Sequence, residues 1–401
     1  MKNYILITLL ICLSVIGCSG NKKNENQDPI ETISIDVRKA HPEYDITSMI
    51  DTSYFEIIPL ETTDDCLIAK VSRLYLSNNK IVVYDEMAQG AYIFNKDGSY
   101  HAKVRAIGQG PGEYPPGIND IMVSKNHIGV LAPPFGIMLY DFDGKFVRKI
   151  SLEGTWGMSL FTFDDIDYYL VNNWSRSNKG YYHLFKLDTK QNRVSTLFPF
   201  PKSDVDNHRG WSLNKYYTLY DNRSLIYFST IETIYHLTPS GELSPQYLID
   251  IVHKKLPDNL RTGNGRVAMQ SSIDNGYTKG IVNIAETSRY LILNMDGGLH
   301  YVVYDKKEKE TKVIAGVFRI PLFFNLGFSI EFSLDEGDCF LTYIGGMQAY
   351  SYKESMDKKK ANKTWTKGDG TNAFEKEYIK VLQNMQDDED NPVVFILKMR
   401  N

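Results

Sequence analysis

Beyond Ile16 the chain has no apolar run long enough to cross a bilayer, which excludes a helical spanning architecture. An excess of either charge is also missing. Lys and Arg number 45 against 49 Asp and Glu, a formal net charge of -4, and this removes the electrostatic case for nucleic acid. Cysteine is sparse, with four in 401 residues. There is no Gly-x-Ser-x-Gly, and no Ser-x-x-Lys with its partner motifs. Gly108-x-Gly110-x-Gly112 lacks the Lys-Ser/Thr of a phosphate loop. No His-x-His or His-Glu-x-x-His spacing marks a metal. Asp141-Phe142-Asp143-Gly144 shares two positions with a calcium loop, lacks its bidentate Glu, and reads as a hairpin turn. No reaction and no cofactor is legible.

What is present begins at the N-terminus. Lys2 supplies a positive start, and Ile5 to Ile16 is apolar but shorter than the ~20 residues of a span. The stretch ends in Val15-Ile16-Gly17-Cys18, which resembles a lipobox, where cleavage precedes a cysteine that is then lipidated. Residues 1–17 read as a lipoprotein signal peptide and Cys18 as the lipidation site. The expected partner is a lipid bilayer, and the protein is anchored rather than spanning. Residues 18–29 are polar and read as a flexible tether. The expected location is the cell envelope, on the outer membrane. Ser19-Gly20-Asn21-Lys22-Lys23 lacks the acidic run that routes some lipoproteins to the outer face, so the periplasmic and surface sides both stay open. Loss of Lys2 with the signal moves the charge from -4 to -5. Cys66 and Cys339 remain, as two separate buried thiols or, in an oxidising compartment, a disulfide.

The body of the chain repeats. One unit ends its third strand in Tyr92-Ile93-Phe94-Asn95-Lys96-Asp97-Gly98, the next in Met138-Leu139-Tyr140-Asp141-Phe142-Asp143-Gly144, and the two glycines are 46 residues apart. A period of ~40–50 with four short strands per unit predicts a β-propeller. Six units fit, so residues 30–401 are expected to form an all-β, six-bladed propeller of four-stranded antiparallel blades. The stretch Asp250 to Lys279, rich in Asn, Gly, Ser and Lys, reads as a loop rather than a seventh blade. In the last blade a Lys-rich segment precedes Thr371 to Gln386, where Phe374, Tyr378, Val381, Leu382 and Met385 share one helical face. This predicts one helical insertion. Tyr54 to Leu60 is unused by the first unit and reads as the strand that closes the ring, which removes an exposed sheet edge.

These features together resemble the six-bladed β-propeller lipoproteins of the Bacteroidetes, related in architecture to NHL-repeat propellers. The residues that carry the resemblance are Cys18 in its lipobox and Tyr54-Phe55-Glu56-Ile57-Ile58-Pro59-Leu60-Glu61-Thr62. Gly108-Gln109-Gly110-Pro111-Gly112-Glu113-Tyr114 and Asp390-Asn391-Pro392 complete it. The resemblance implies fold and location more than activity.

In a propeller, the loops between blades and those joining second to third strands share one face, here termed the loop face. Gln109, Glu113 and Tyr114 belong to it and are candidate ligand contacts, or else the loop is a clasp between blades one and two. Trp156, Trp174 and Trp211, with Arg209, fall on the same face of adjacent blades. Flat rings beside polar groups suit a glycan or a peptide. The other reading makes these tryptophans wedges between blades. Asp85 reads as a turn cap. His183 and His300 occupy equivalent third-strand positions and are the weak metal candidates. Two function classes follow. One is an anchored propeller that binds a glycan, peptide or partner protein without catalysis. The alternative is a metal-dependent lyase or hydrolase on an NHL-like propeller, which rests on fold analogy alone.

Overall fold

The strand Lys80–Asp85 shows how the chain builds a blade. Ile81 and Val83 turn to one side of the sheet and Val82 and Tyr84 to the other, and all four are buried. Side chains alternate across a strand, so a sheet covered on both sides reads as a continuous apolar run. Ile81 and Val83 join an apolar cluster with Leu341 and Ile396, whereas Val82 and Tyr84 join one with Ile121, Val130 and Tyr140. Every blade is therefore glued to two neighbours.

A computed structural model describes residues 30–207, 216–228, 231–261, 264–278, 280–295, 300–320, 324–326, 331–332, 338–362, 373–387 and 389–400. Its strands form six sheets. Blade one comprises Arg73–Ser77, Lys80–Asp85, Gly90–Asn95 and Tyr100–Val104, and blade two Asp120–Val123, Ile128–Ala132, Gly136–Tyr140 and Phe146–Ile150. Blade three opens at Ser159–Thr162, blade four at Tyr217–Tyr220, blade five at Ile281–Glu286 and blade six at Glu331–Phe332. Six large apolar clusters lie one at each blade junction. No helix among the described residues is long and apolar enough to cross a membrane.

The ring closes as the sequence predicts. Ile50–Pro59 is the outer strand of blade six and pairs antiparallel with Val393–Met399, with Ile57 opposite Phe395. Ahead of it, Glu31–Ile35 pairs parallel with Leu243–Ile251 of blade four, and His41–Asp45 pairs parallel with Glu310–Ile320 of blade five. The N-terminal segment is thus a strap that crosses three blades before the first one begins. The glycines that reveal the repeat have a shared reason. At Gly144 (φ +76°) a Cβ would lie 2.5 Å from the carbonyl oxygen of Lys103, on the preceding blade's outer strand. Gly98 (φ +90°) packs in the same way on Pro59 of the closing strand. Positive φ and backbone-to-backbone contact both select glycine.

The helical insertion lies in blade six, and Ala373–Asn384 buries the predicted face: Phe374, Tyr378, Val381, Leu382 and, just beyond, Met385. A second helix, Gly346–Ala361, occupies part of the stretch read as a polar interruption. Gly265–Asn275 is a helix inside the segment read as a loop, capped by Asn264 at its start and by Gly276 in the left-handed region at its end. No disulfide joins Cys66 and Cys339, and both are buried in the cluster between blades six and one.

Candidate functional site

On the loop face, residues 108–114 form a clasp. The Gly110 N–H donates to the Glu113 carboxylate at 2.7 Å, and a Cβ on Gly108 would meet that carboxylate at 1.9 Å. The Gly108 and Tyr114 backbones close the loop at 2.9 Å. Tyr114 is fully buried, donates to the Gln89 carbonyl at 2.8 Å, and sets its ring edge-on to Tyr140. Tyr140 in turn donates to the Gly112 carbonyl at 2.6 Å. The loop therefore ties blade one to blade two, and within it Gln109 is exposed. Asp85 is a turn cap, accepting from the Met87, Ala88 and Ala69 amides.

Trp174 is only 8% exposed, with its ring edge-on to His183 and Phe200. It is a packed wedge rather than an open platform. His183 sits beside Trp174, Phe198, Phe200 and Phe228, and its Nδ1 lies 2.6 Å from the Asn173 carbonyl oxygen. That ring belongs to the junction of blades three and four. His300 stands at the start of a blade-five strand, partly exposed. No group of three or more metal-ligating side chains occurs among the described residues. Trp156 is partly exposed. Arg209 and Trp211 lie outside the described residues.

The opposite, turn-side mouth carries a cavity. Its hairpin turns are polar and linked from blade to blade. Asn78 donates to the Lys125 carbonyl at 2.7 Å, and Asn126 donates to the Asp165 carboxylate at 2.8 Å. Further round, Arg223 meets Glu286 at 2.6 Å, and the Ser288 N–H donates to Asp338 at 2.6 Å. Between blades three and four no such bond joins Asp164 or Asp165 to Asp221 or Asn222. There the turns part around a cavity of about 450 Å³, lined by Lys125, Asn126, Phe163, Asp165, Tyr220 and Asn222 among others. Asp221 (φ +48°) and Asn222 (φ +55°) form a turn of the primed type, which presents both side chains outward.

A buried charge cluster backs this mouth. Glu286 is 1% exposed, and one of its oxygens accepts from both Arg223 and Lys306 (2.9 Å). The other oxygen, and Arg223 Nε, are buried without a hydrogen-bond partner among the described residues. Burial, reinforced by the Arg223 charge, lowers the His236 pKa, while burial beside Asp338 raises that of Tyr220. Tyr220 thus keeps its proton as a donor, and its ring also faces Lys306 at 5.7 Å. Asp165 Oδ1 is buried 3.4 Å from His127 Nδ1. Chemically the cavity offers amides, carboxylates and an ammonium around two rings, a set that binds hydroxyl groups. The sequence motifs point instead to the loop face. The signal for this mouth was a polar pair repeating at the first turn of successive blades: Asn78-Asn79, Lys125-Asn126, Asp164-Asp165 and Asp221-Asn222.

No curated protein matches the chain. Among solved structures, a Bacteroides fragilis protein described as exported aligns with 92% of this chain and 100% of its own, at 17% identity and a TM-score of 0.66. A Bacteroides vulgatus member of the DUF4221 family aligns over 87% of this chain and 97% of its own, at 11% identity and a TM-score of 0.44. Virginiamycin B lyase from Staphylococcus aureus covers 72% of this chain and 81% of its own, at 12% identity and a TM-score of 0.39. The first of these likenesses supports the propeller fold, and at such identity it speaks to fold alone. A family model matches residues 32–398, nearly the whole propeller, and the chain belongs to that family, DUF4934, a domain of unknown function.

Proposed function

We propose that this protein is a non-catalytic binding propeller of the cell envelope that takes a glycan in its turn-side cavity. The observation that carries the reading is the parting of the turns of blades three and four around about 450 Å³ of polar, ring-bearing space. Sugars are bound by side-chain amides and carboxylates that exchange hydrogen bonds with hydroxyls, and by rings that cover the apolar faces of the pyranose. Asn126, Asp165, Asp221 and Asn222 supply the first, Phe163 and Tyr220 the second. A peptide or a partner protein is the other ligand class, and a screen separates them.

The test is a panel of soluble oligosaccharides and peptides, followed by calorimetry on Asp221→Gly/Asn222→Gly. Glycine suits the positive φ of both positions, so the hairpin keeps its shape while the side chains are lost. The variant is expected to lose tenfold or more in affinity, on the order of 1.4 kcal/mol, with little change in melting temperature. Unchanged affinity would remove the cavity from the account.

The envelope location rests on the lipobox at Cys18, and the exported Bacteroides fragilis relative is consistent with it. Cys18→Ala is expected to release the protein from the membrane fraction. A variant that keeps its acyl chains, or that resists a carbonate wash, would sink the anchor reading.

A further inference from the structure

At the rim, each cleft between blades is bounded by one blade's outer strand and the next blade's turn between third and fourth strands. Five of the six clefts are closed by the chain itself. A Cβ on Gly98 would collide with the Pro59 carbonyl oxygen, and one on Gly144 with that of Lys103, so these turns shut the clefts six–one and one–two. Between blades three and four, the Pro239 carbonyl accepts from the Tyr169 hydroxyl at 2.9 Å and from Lys186 at 3.4 Å. The strap fills the other two, with Glu31–Ile35 on blade four and His41–Asp45 on blade five.

The cleft between blades two and three is open. Its turn, residues 188–192, has no glycine, and a cavity of about 270 Å³ lies between it and the strand Phe146–Ile150. The first four residues of that strand are exposed, Phe146 and Val147 by 42% and 45%. Arg148, Lys149 and Arg193 line the cavity, and none of them is ion-paired among the described residues. The lining carboxylates are Glu153 and Asp188, so cations are in excess.

The same turn recurs at blade five, where the chain shows what such a cleft accepts. Asp188 Oδ1 accepts from the Lys190 and Gln191 N–H groups, both at 2.9 Å. Asp305 Oδ1 accepts from those of Lys307 and Glu308 at 3.0 and 3.1 Å. Asn192 (φ +50°) and Lys309 (φ +55°) close the two turns alike. Against the blade-five turn the strap sets a carboxylate: Glu31 accepts from the Tyr304 hydroxyl and pairs with Lys309 at 2.9 Å. Ile33 and Ile35 on the same strand are fully buried. This ring therefore fills a cleft of this shape with an added strand that carries a carboxylate to the turn.

We infer that the cleft between blades two and three takes an extended acidic segment of a partner protein, added as a fifth strand beside Phe146–Ile150. In strand addition the main chain supplies affinity and the side chains supply selectivity. Here the selective element is the cationic trio, placed to meet a carboxylate as Lys309 meets Glu31. Cations on an edge also repel the same edge of a second copy. An acidic strand is the kind they admit. The cleft shares no lining residue with the turn-side cavity, so the inference stands apart from the glycan reading.

The probe is a fluorescent peptide of residues 30–36, Ile-Glu-Thr-Ile-Ser-Ile-Asp, which contains the strand that fills the blade-four cleft. It is titrated to millimolar concentration against the full-length protein and followed by anisotropy, with binding one to one as the expected result. Exposed ion pairs contribute modestly, so Arg148→Ala/Lys149→Ala/Arg193→Ala should weaken it on the order of tenfold at unchanged melting temperature. A peptide with Glu31→Gln/Asp36→Asn should lose as much, and added salt should weaken the wild-type complex. Equal binding by the triple variant overturns the inference, because the peptide then sits elsewhere, the edge of blade four included. A peptide that fails to bind also overturns it; the site is then one for acidic glycans if oligogalacturonate binds, and a guarded edge if neither does. Asp221→Gly/Asn222→Gly should bind the peptide as wild type does, so failure here leaves the glycan reading intact.

Discussion

A chain that lacks residues 1–59 is expected to be unable to keep a soluble fold, whereas one that lacks residues 1–29 melts as the full-length chain does. The difference lies in the closing strand. Ile50–Pro59 forms the outer edge of blade six and contributes Ile50 and Ile58 to the buried clusters, with Phe55 and Ile57 packed against them. Full burial of such a side chain stabilises by about 1.5–3 kcal/mol, and domains have only about 5–15 kcal/mol in total. Loss of four of them removes a large part of that margin and bares the edge of Val393–Met399 to another chain. Removal of residues 1–48 is the informative intermediate. It takes away the fifth strands of blades four and five, with the buried Ile33 and Ile35, but spares closure. Its melting temperature should fall between the other two, without aggregation. Three truncations of equal stability, read by thermal melting and light scattering, would remove the strap from the account.

Arg73→Met is expected to destabilise the protein by about 3–5 kcal/mol, because it strands a carboxylate in the ring. Asp120 is fully buried on the inner strand of blade two and receives Arg73 of blade one at 2.6 Å. It also accepts from the Ser159 hydroxyl at 2.6 Å, the Leu160 N–H at 2.9 Å and the Ile121 N–H at 2.9 Å. One carboxylate thus links blades one, two and three. Burial raises its pKa, with Arg73 and these donors opposing the shift. Removal of the guanidinium takes away the strongest opposition. Arg73→Met/Asp120→Leu should cost less than the sum of the single changes, since the carboxylate left behind accounts for most of the penalty. Denaturant unfolding measures this. An Arg73→Met variant within 1 kcal/mol of wild type would make the pair idle.

The blades were legible in the sequence wherever one residue type solved a local problem. Gly98 and Gly144 announce the period because only glycine fits against the preceding outer strand. The helix at Ala373–Asn384 is visible because its buried face repeats at helical spacing. Elements that owe their form to a neighbour were not. His41-Pro42-Glu43-Tyr44-Asp45 has no strand pattern and becomes one only by docking on the open edge of blade five. Gly265–Asn275 leaves Val267 and Ile273 exposed, so its sequence shows no apolar stripe to find. The candidate site divides in the same way. Glu113 and Tyr114 stand out in sequence because a clasp demands unusual residues, and Trp174 because it is rare, yet Tyr114 and Trp174 face inward. The cavity emerges only from which turns meet and which part, and pairings such as Asn126 with Asp165, 39 residues apart, depend on the ring.

The central claim is the place of the ligand, and a crystal structure of the protein with its tightest-binding oligosaccharide tests it directly. The account predicts sugar density between the turns of blades two, three and four, with hydroxyls within hydrogen-bond reach of Asn126, Asp165 and Asn222. Density on the loop face beside Gln109 and Trp156, with the turn-side mouth unchanged, would contradict it.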